Sequence, residues 1–233
     1  MPSKLAYRPK ALRAKGESFT VPETEEVELP IEEAKQLTTA PPTRVGQVQE
    51  ASTEVSAHTE IQWLLLKLGS DMGLDVWVAR NDRGCEMNGH RFSDIPRLKK
   101  SLPLQFDEVT NRTIELIDVL WLQGNSIEAA FEIESTTTVY SGLLRMSDLI
   151  AMQPNLNIPL YLVAPDERRD KVFAEVNRPT FSRLTPPMNS ICSYISFSTL
   201  RQSMETAKAA GWTAYLKPDF LQALAEPCLP DEL

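Results

Sequence analysis

The sequence predicts an α/β fold with a mixed central sheet flanked by helices, and three observations carry that prediction. Short apolar runs rich in Val, Ile, Leu, Trp and Phe recur near 74–79, 117–122, 129–134, 158–164 and 193–197, the length and composition of strands. Between them lie stretches with apolar residues at helical spacing, near 56–72, 139–152 and 166–178. The third observation is how they are joined. A hairpin-length Gly124-Asn125-Ser126 turn implies an antiparallel pair, whereas a whole helix between 134 and 158 implies a crossover and a locally parallel pair.

In chain order, residues 1–50 read as a flexible tail. Lys4, Arg8, Lys10, Arg13 and Lys15 come first, then Glu17, Glu23, Glu25, Glu26, Glu28, Glu32 and Glu33, with prolines scattered throughout and little periodic hydrophobicity. The folded domain is expected over 51–233, with its first helix starting near Ser56. Ile61, Leu64, Leu65 and Leu68 recur on one face of that helix, and Gly73 stops it before the strand at 74–79. Residues 80–112 show only short apolar islands and carry Arg80, Arg83, Arg91, Arg97, Lys99, Lys100 and Arg112. They read either as a substrate-contacting insertion or as a solvated loop. The helix at 139–152 presents Val139, Leu143, Met146 and Ile150 on one stripe and Tyr140, Ser141, Arg145 and Asp148 on the other. Asp166 is the expected cap of the helix at 166–178, and helical pieces near 198–210 and 218–225 follow the last strand.

Composition excludes several classes. A net charge of −8 argues against broad non-specific binding to nucleic acid, although the acidic tail supplies much of it. No apolar run reaches membrane-spanning length, and no apolar segment follows the basic amino terminus, so neither a membrane anchor nor a secretory leader is expected. Cys85, Cys192 and Cys228 are odd in number and widely spaced, which fits a reduced, cytoplasmic protein. His58-Thr59-Glu60 matches half of a zinc-deaminase signature but has no Cys-x-x-Cys partner, and His58 reads as a surface residue. No phosphate-binding glycine loop occurs.

The chemistry concentrates at 117–134. Asp118, Glu132 and Glu134 interrupt two apolar strands, where an ionised carboxylate costs several kcal/mol unless something compensates it. Alternation puts Glu132 and Glu134 on one face, and antiparallel pairing brings Asp118 level with them. Carboxylates gathered in this way suit a hard divalent cation, Mg²⁺ or Mn²⁺. The competing structural reading is a solvated edge-strand face with Asp118 paired to an arginine.

Asp118, a short hairpin, Glu132-Ile133-Glu134 and the following helix resemble the active-site core of the PD-(D/E)XK, or restriction-endonuclease-like, nuclease superfamily over roughly residues 55–165. Glu134 stands where that family usually has lysine. The resemblance implies a core of order α-β-β-β-α-β and a metal-dependent endonuclease acting on DNA, in restriction, defence or a mobile element. It implies Asp118, Glu132 and Glu134 as catalytic residues, with the metal held by Asp118, Glu132 and the Ile133 carbonyl and by Glu60 from the first helix. Arg145, Ser141, Tyr140, Arg80 and Arg83 are the expected substrate contacts. A homodimer or partner proteins of a defence system would accompany double-strand cutting. Two other readings stay open: an inactive nuclease-fold module that binds nucleic acid or protein, and a Mg²⁺-dependent phosphatase or nucleotide hydrolase.

Overall fold

Helix α1 (Arg44–Asp71) opens the fold, in a computed structural model that describes residues 44–102, 108–135, 139–152 and 158–230. The helix expected from about residue 56 thus begins at Arg44; the remainder of the expected tail lies outside the described residues. Ile61, Leu65, Leu66 and Leu68 are fully buried on one face of α1. Gly69 lets the helix lie against the sheet, since a Cβ there would sit 2.5 Å from the Trp121 Nε1. That indole N–H donates to the Leu65 carbonyl at 3.0 Å, so a buried donor is paired as burial requires.

The sheet contains β1 (Asp75–Val78), β4 (Val119–Gln123), β5 (Ser126–Ile133), β6 (Leu160–Ala164), β7 (Cys192–Ser196) and the short β8 (Glu226–Pro227), in that spatial order. β1, β4 and β5 run antiparallel, β5, β6 and β7 parallel, and β8 returns antiparallel. The mixed sheet follows from the connections: a two-residue turn joins β4 to β5, and helix α3 (Tyr140–Met152), as numbered below, joins β5 to β6.

Two cores lie on the two faces. On one, Leu120, Leu122, Ala130 and Leu162 pack against Leu143, Met146 and Leu149 of α3 and against Val172 and Val176 of α4 (Arg169–Val176). On the other, Val76, Trp121, Phe131 and Val163 pack against α1 and against Phe197, Leu200 and Met204 of α5 (Phe197–Ala209). The alternation of these strand residues between faces is the period-two pattern of a sheet covered on both sides.

Residues 80–102 depart from the expectation of an irregular insertion. They include a small hairpin, β2 (Glu86–Met87) and β3 (His90–Arg91), and bury Phe92 and Ile95 against the α1 face of the sheet. Helix α2 (Glu108–Ile114) was not expected, because seven residues are too few to establish a 3.6-residue period. Asp166 also does something other than expected. It accepts hydrogen bonds from the Ser198 hydroxyl at 2.5 Å and the Ser198 N–H at 3.4 Å, tying down the start of α5, while α4 has Arg168 at its N-cap and no side-chain cap. Residues 136–138 and 153–157, which flank the helix expected at 139–152, lie outside the described residues. Among the described residues no helix is long and apolar enough to cross a membrane.

Candidate active site

The β4–β5 register pairs Val119 with Phe131 and Leu120 with Ala130, so one step further sets Asp118 beside Glu132. Glu134 follows on the same face. All three carboxylates are withdrawn from water: Asp118 is 8% exposed, Glu132 0% and Glu134 5%. Their environments differ, and with them their roles.

Asp118 Oδ2 accepts the Ile133 N–H at 2.7 Å, which fixes its carboxylate across the hairpin. Burial raises its pKa, with Asp82 adding to the rise; His58, the Ile133 N–H and Arg145 oppose it. Glu132 is clamped by Arg145 of α3, whose Nε donates to Oε1 at 2.8 Å while Nη2 bonds Oε2. This two-point contact is the strong fork geometry of guanidinium on carboxylate. Even so, burial and the neighbouring Asp118 push the Glu132 pKa well above the usual range. Glu134 lies at the start of α3 and accepts the Gly142 N–H. Burial and Asp118 raise its pKa to about 7, against the pull of Arg145 and Arg168. Gly142 is required by this contact, because a Cβ there would lie 2.5 Å from Glu134 Oε1 and 3.1 Å from Glu132 Cβ.

Against the three acids stand Arg145 and, toward Glu134, Arg168, so the cluster would carry an excess of negative charge if every carboxylate were ionised. All three respond by holding protons more tightly than usual. This is the electrostatic state that a hard divalent cation relieves, and the donor set is of the oxygen type such a cation takes.

A cleft of about 350 Å³ opens on this cluster, lined among others by His58, Gln62, Asp82, Asp118, Glu134 and Arg145. Glu132 is not on its surface; it lies beneath the Arg145 guanidinium. Ser141 also lines the cleft. The other residues singled out in the sequence are elsewhere engaged. Glu60 forms a two-point ion pair with Arg201, at 3.0 and 2.7 Å, and lines a separate groove with Trp63 and His90. Arg80 lies 3.5 Å from Glu115. Arg83 donates to the Lys99 and Lys100 carbonyls and lies over the Trp77 ring. Tyr140 packs on Phe181 with Arg178 over its ring.

Sequence reasoning read His58 as a surface residue, whereas it lines the cleft, and did not single out Gln62, Asp82 or Arg168 for the site. The spacing of His58 and Gln62 carried a signal, since residues four apart share a helix face and Glu60, between them, points away from it. Asp82 had none, because its position depends on the turn after β1 folding back. There the Gln62 Nε2 donates to Asp82 Oδ2 at 2.8 Å, and the Ala79 N–H donates to the Asp118 carbonyl at 3.1 Å.

Comparison with known proteins places these features in a family context. Residues 39–228 match the family model described as the Type II restriction enzyme NmeDI C-terminal domain. The Type II restriction enzyme NmeDI of Neisseria meningitidis serogroup C is 30% identical over 182 residues, which covers 74% of this chain and 49% of that protein. The chain therefore spans about half the length of this relative. No solved structure matches the chain.

Proposed function

Because this chain belongs to the family of the Type II restriction enzyme NmeDI C-terminal domain, we propose that it is the catalytic part of a DNA endonuclease that hydrolyses phosphodiester bonds. We further assign it to the PD-(D/E)XK superfamily, in a variant with Glu134 at the lysine position. The observation that carries this reading is the convergence of Asp118, Glu132 and Glu134, all nearly buried, with Arg145 beside them at the mouth of a cleft.

Asp118, Glu132 and the Ile133 carbonyl would hold a divalent cation, Mg²⁺ or Mn²⁺, which when bound polarises a phosphate oxygen and lowers the pKa of a water. The remaining work falls to the chain's own groups. Glu134, with a pKa near neutrality, is suited to accept a proton from the attacking water, since a general base works best with a pKa close to the operating pH. It cannot supply the positive charge that lysine would bring to the developing phosphorane. Arg145 lines the cleft and would meet phosphate oxygens, Ser141 offers a hydroxyl at the cleft wall, and Arg168 adds positive charge acting on Glu134. Residues 51–233 would form the nuclease domain and 1–50 a charged tail, in a cytoplasmic protein that acts as a homodimer or with other proteins of a defence system.

A second reading is favoured by one observation. Arg145 covers both oxygens of Glu132, an arrangement suited to an inactive nuclease fold that binds nucleic acid or a protein. Cleavage of supercoiled plasmid with Mg²⁺, Mn²⁺ or EDTA, beside Asp118→Ala and Glu132→Ala, decides between them. Metal-dependent nicking that both substitutions abolish supports the nuclease. Folded variants with no cleavage by the parent in any metal refute it.

A further inference from the structure

We propose that the α1 side of the cleft is a divalent transition-metal site formed by His58, Asp82 and Asp118, with Gln62 holding a metal-bound water. The inference deepens the nuclease reading by naming which cation this active site prefers. Ligand atoms of His58, Asp82 and Asp118 lie within 4.8 Å of one another. Donors held at about 2.1 Å from one ion lie roughly 3–4 Å apart, so side-chain adjustments on the order of 1 Å close the set.

The three donors come from separate elements, α1, the turn after β1 and the entry to β4, and Asp82 and Asp118 are already braced. Gln62 Nε2 donates to Asp82 Oδ2 at 2.8 Å and to the Asp118 carbonyl at 3.4 Å, fixing one donor directly and the backbone of another. Ile133 N–H fixes the Asp118 carboxylate at 2.7 Å. Supporting contacts of this kind orient metal ligands before the metal arrives.

An independent observation points to an occupant. Gln62 is 0% exposed and lines the cleft, and its Oε1 has no hydrogen-bond partner among the described residues. Buried acceptors are almost always paired, and leaving one unpaired carries its full desolvation cost. A water bound to an ion between His58, Asp82 and Asp118 would donate to it.

The donor types set the selectivity. Imidazole suits Ni²⁺ and Zn²⁺ best; Mn²⁺, at the low end of the transition-metal affinity series and at home with carboxylates, serves as the paramagnetic probe of the site, whereas Mg²⁺ is best served by oxygen and water. Asp118 belongs both to this set and to the carboxylates of β5, so one side chain links the two. Glu60, on the opposite side of α1, is excluded from it by its pairing with Arg201.

The test is Mn²⁺ and Mg²⁺ calorimetry on the full chain, its His58→Ala and Asp82→Asn variants and Glu132→Gln, with electron spin-echo modulation of the Mn²⁺ complex. The expected result is at least a ten-fold loss of Mn²⁺ affinity in His58→Ala and Asp82→Asn. Mg²⁺ affinity should change no more than about three-fold in His58→Ala, and a bound-nitrogen modulation should be present in the parent and absent from His58→Ala. Unchanged Mn²⁺ affinity in folded His58→Ala, or a parent complex without nitrogen modulation, overturns the site. Plasmid cleavage is scored separately. A parent that binds Mn²⁺ through His58 but cuts nothing refutes the nuclease reading and supports this site, and a parent that cuts with Mg²⁺ without nitrogen modulation does the reverse.

Discussion

Replacing Glu134 with glutamine should stabilise the metal-free protein increasingly as pH rises above about 4.5, most fully at neutral to alkaline pH. In the folded chain the Glu134 carboxyl titrates at about 7 rather than 4.5, because burial and Asp118 penalise its charge. A carboxyl whose folded pKa lies above its unfolded value contributes stability that is complete below the unfolded pKa and is lost as pH rises through the folded one. The window is therefore about pH 4.5 to 7. The shift of about 2.5 units corresponds to roughly 3 kcal/mol at 1.36 kcal/mol per unit. Glutamine retains an oxygen for the Gly142 N–H and carries no charge at any pH. Urea unfolding in EDTA should thus give nearly equal stabilities for parent and Glu134→Gln near pH 4.5, with the variant ahead by about 3 kcal/mol near pH 8. In a domain of this size that gain appears as roughly 6–12 °C in the melting temperature. Saturating Mg²⁺ should shrink the difference by supplying the missing positive charge. If Glu134→Gln is destabilising near pH 8, or its effect is the same at both ends of the window, the reasoning about this cluster is wrong.

Other perturbations test the rest of the construction. Arg145→Met leaves the fully buried Glu132 without its counter-charge and should cost about 3–5 kcal/mol in urea unfolding. The double variant Arg145→Met, Glu132→Leu should regain most of that loss, and failure to do so would mean that the pair does not act as a unit. Gly142→Ala drives a methyl group against the Glu134 carboxylate and should cost about 1–3 kcal/mol. Glu134→Ala in the same background should relieve it, and additive losses would refute the contact. Asp166→Asn weakens the hydrogen bonds that hold the start of α5 and should cost at most about 1 kcal/mol, discounted for solvent exposure. Because those bonds lower the Asp166 pKa, the difference from the parent should be present above pH 4 and vanish as pH falls below it, and a pH-independent difference would contradict the assignment.

Much of the fold was legible because period and composition report burial directly. Leu120 and Trp121 alternate between two cores, and Leu143 and Met146 keep helical spacing against one of them, so the strand and helix patterns stand in the letters themselves. What lay outside that reach was anything decided by a few residues folding back. Helix α2, with seven residues, is too short to show a period. Asp166, an acid at a helix start, reads as a cap for its own helix, yet the parallel β6–β7 register puts it next to Ser196 and Ser198, where α5 has unpaired N–H groups to offer.

The candidate site divides in the same way. Strand alternation alone puts Glu132 and Glu134 on one face, but bringing Asp118 level with Glu132 takes the register shift between Trp121 and Leu122, without which the two-residue turn would set Asp118 opposite Phe131 on the other face. Which cations those acids meet is a property of helices that arrive from other parts of the chain. The rotation of α1 sends His58 and Gln62 into the cleft and Glu60 to Arg201, and the position of α3 gives Arg145 to Glu132 and the Gly142 N–H to Glu134. Local spacing decides what lies on one strand face, whereas the charge balance of a buried site depends on distances between elements, and those exist only once the sheet and its helices have packed.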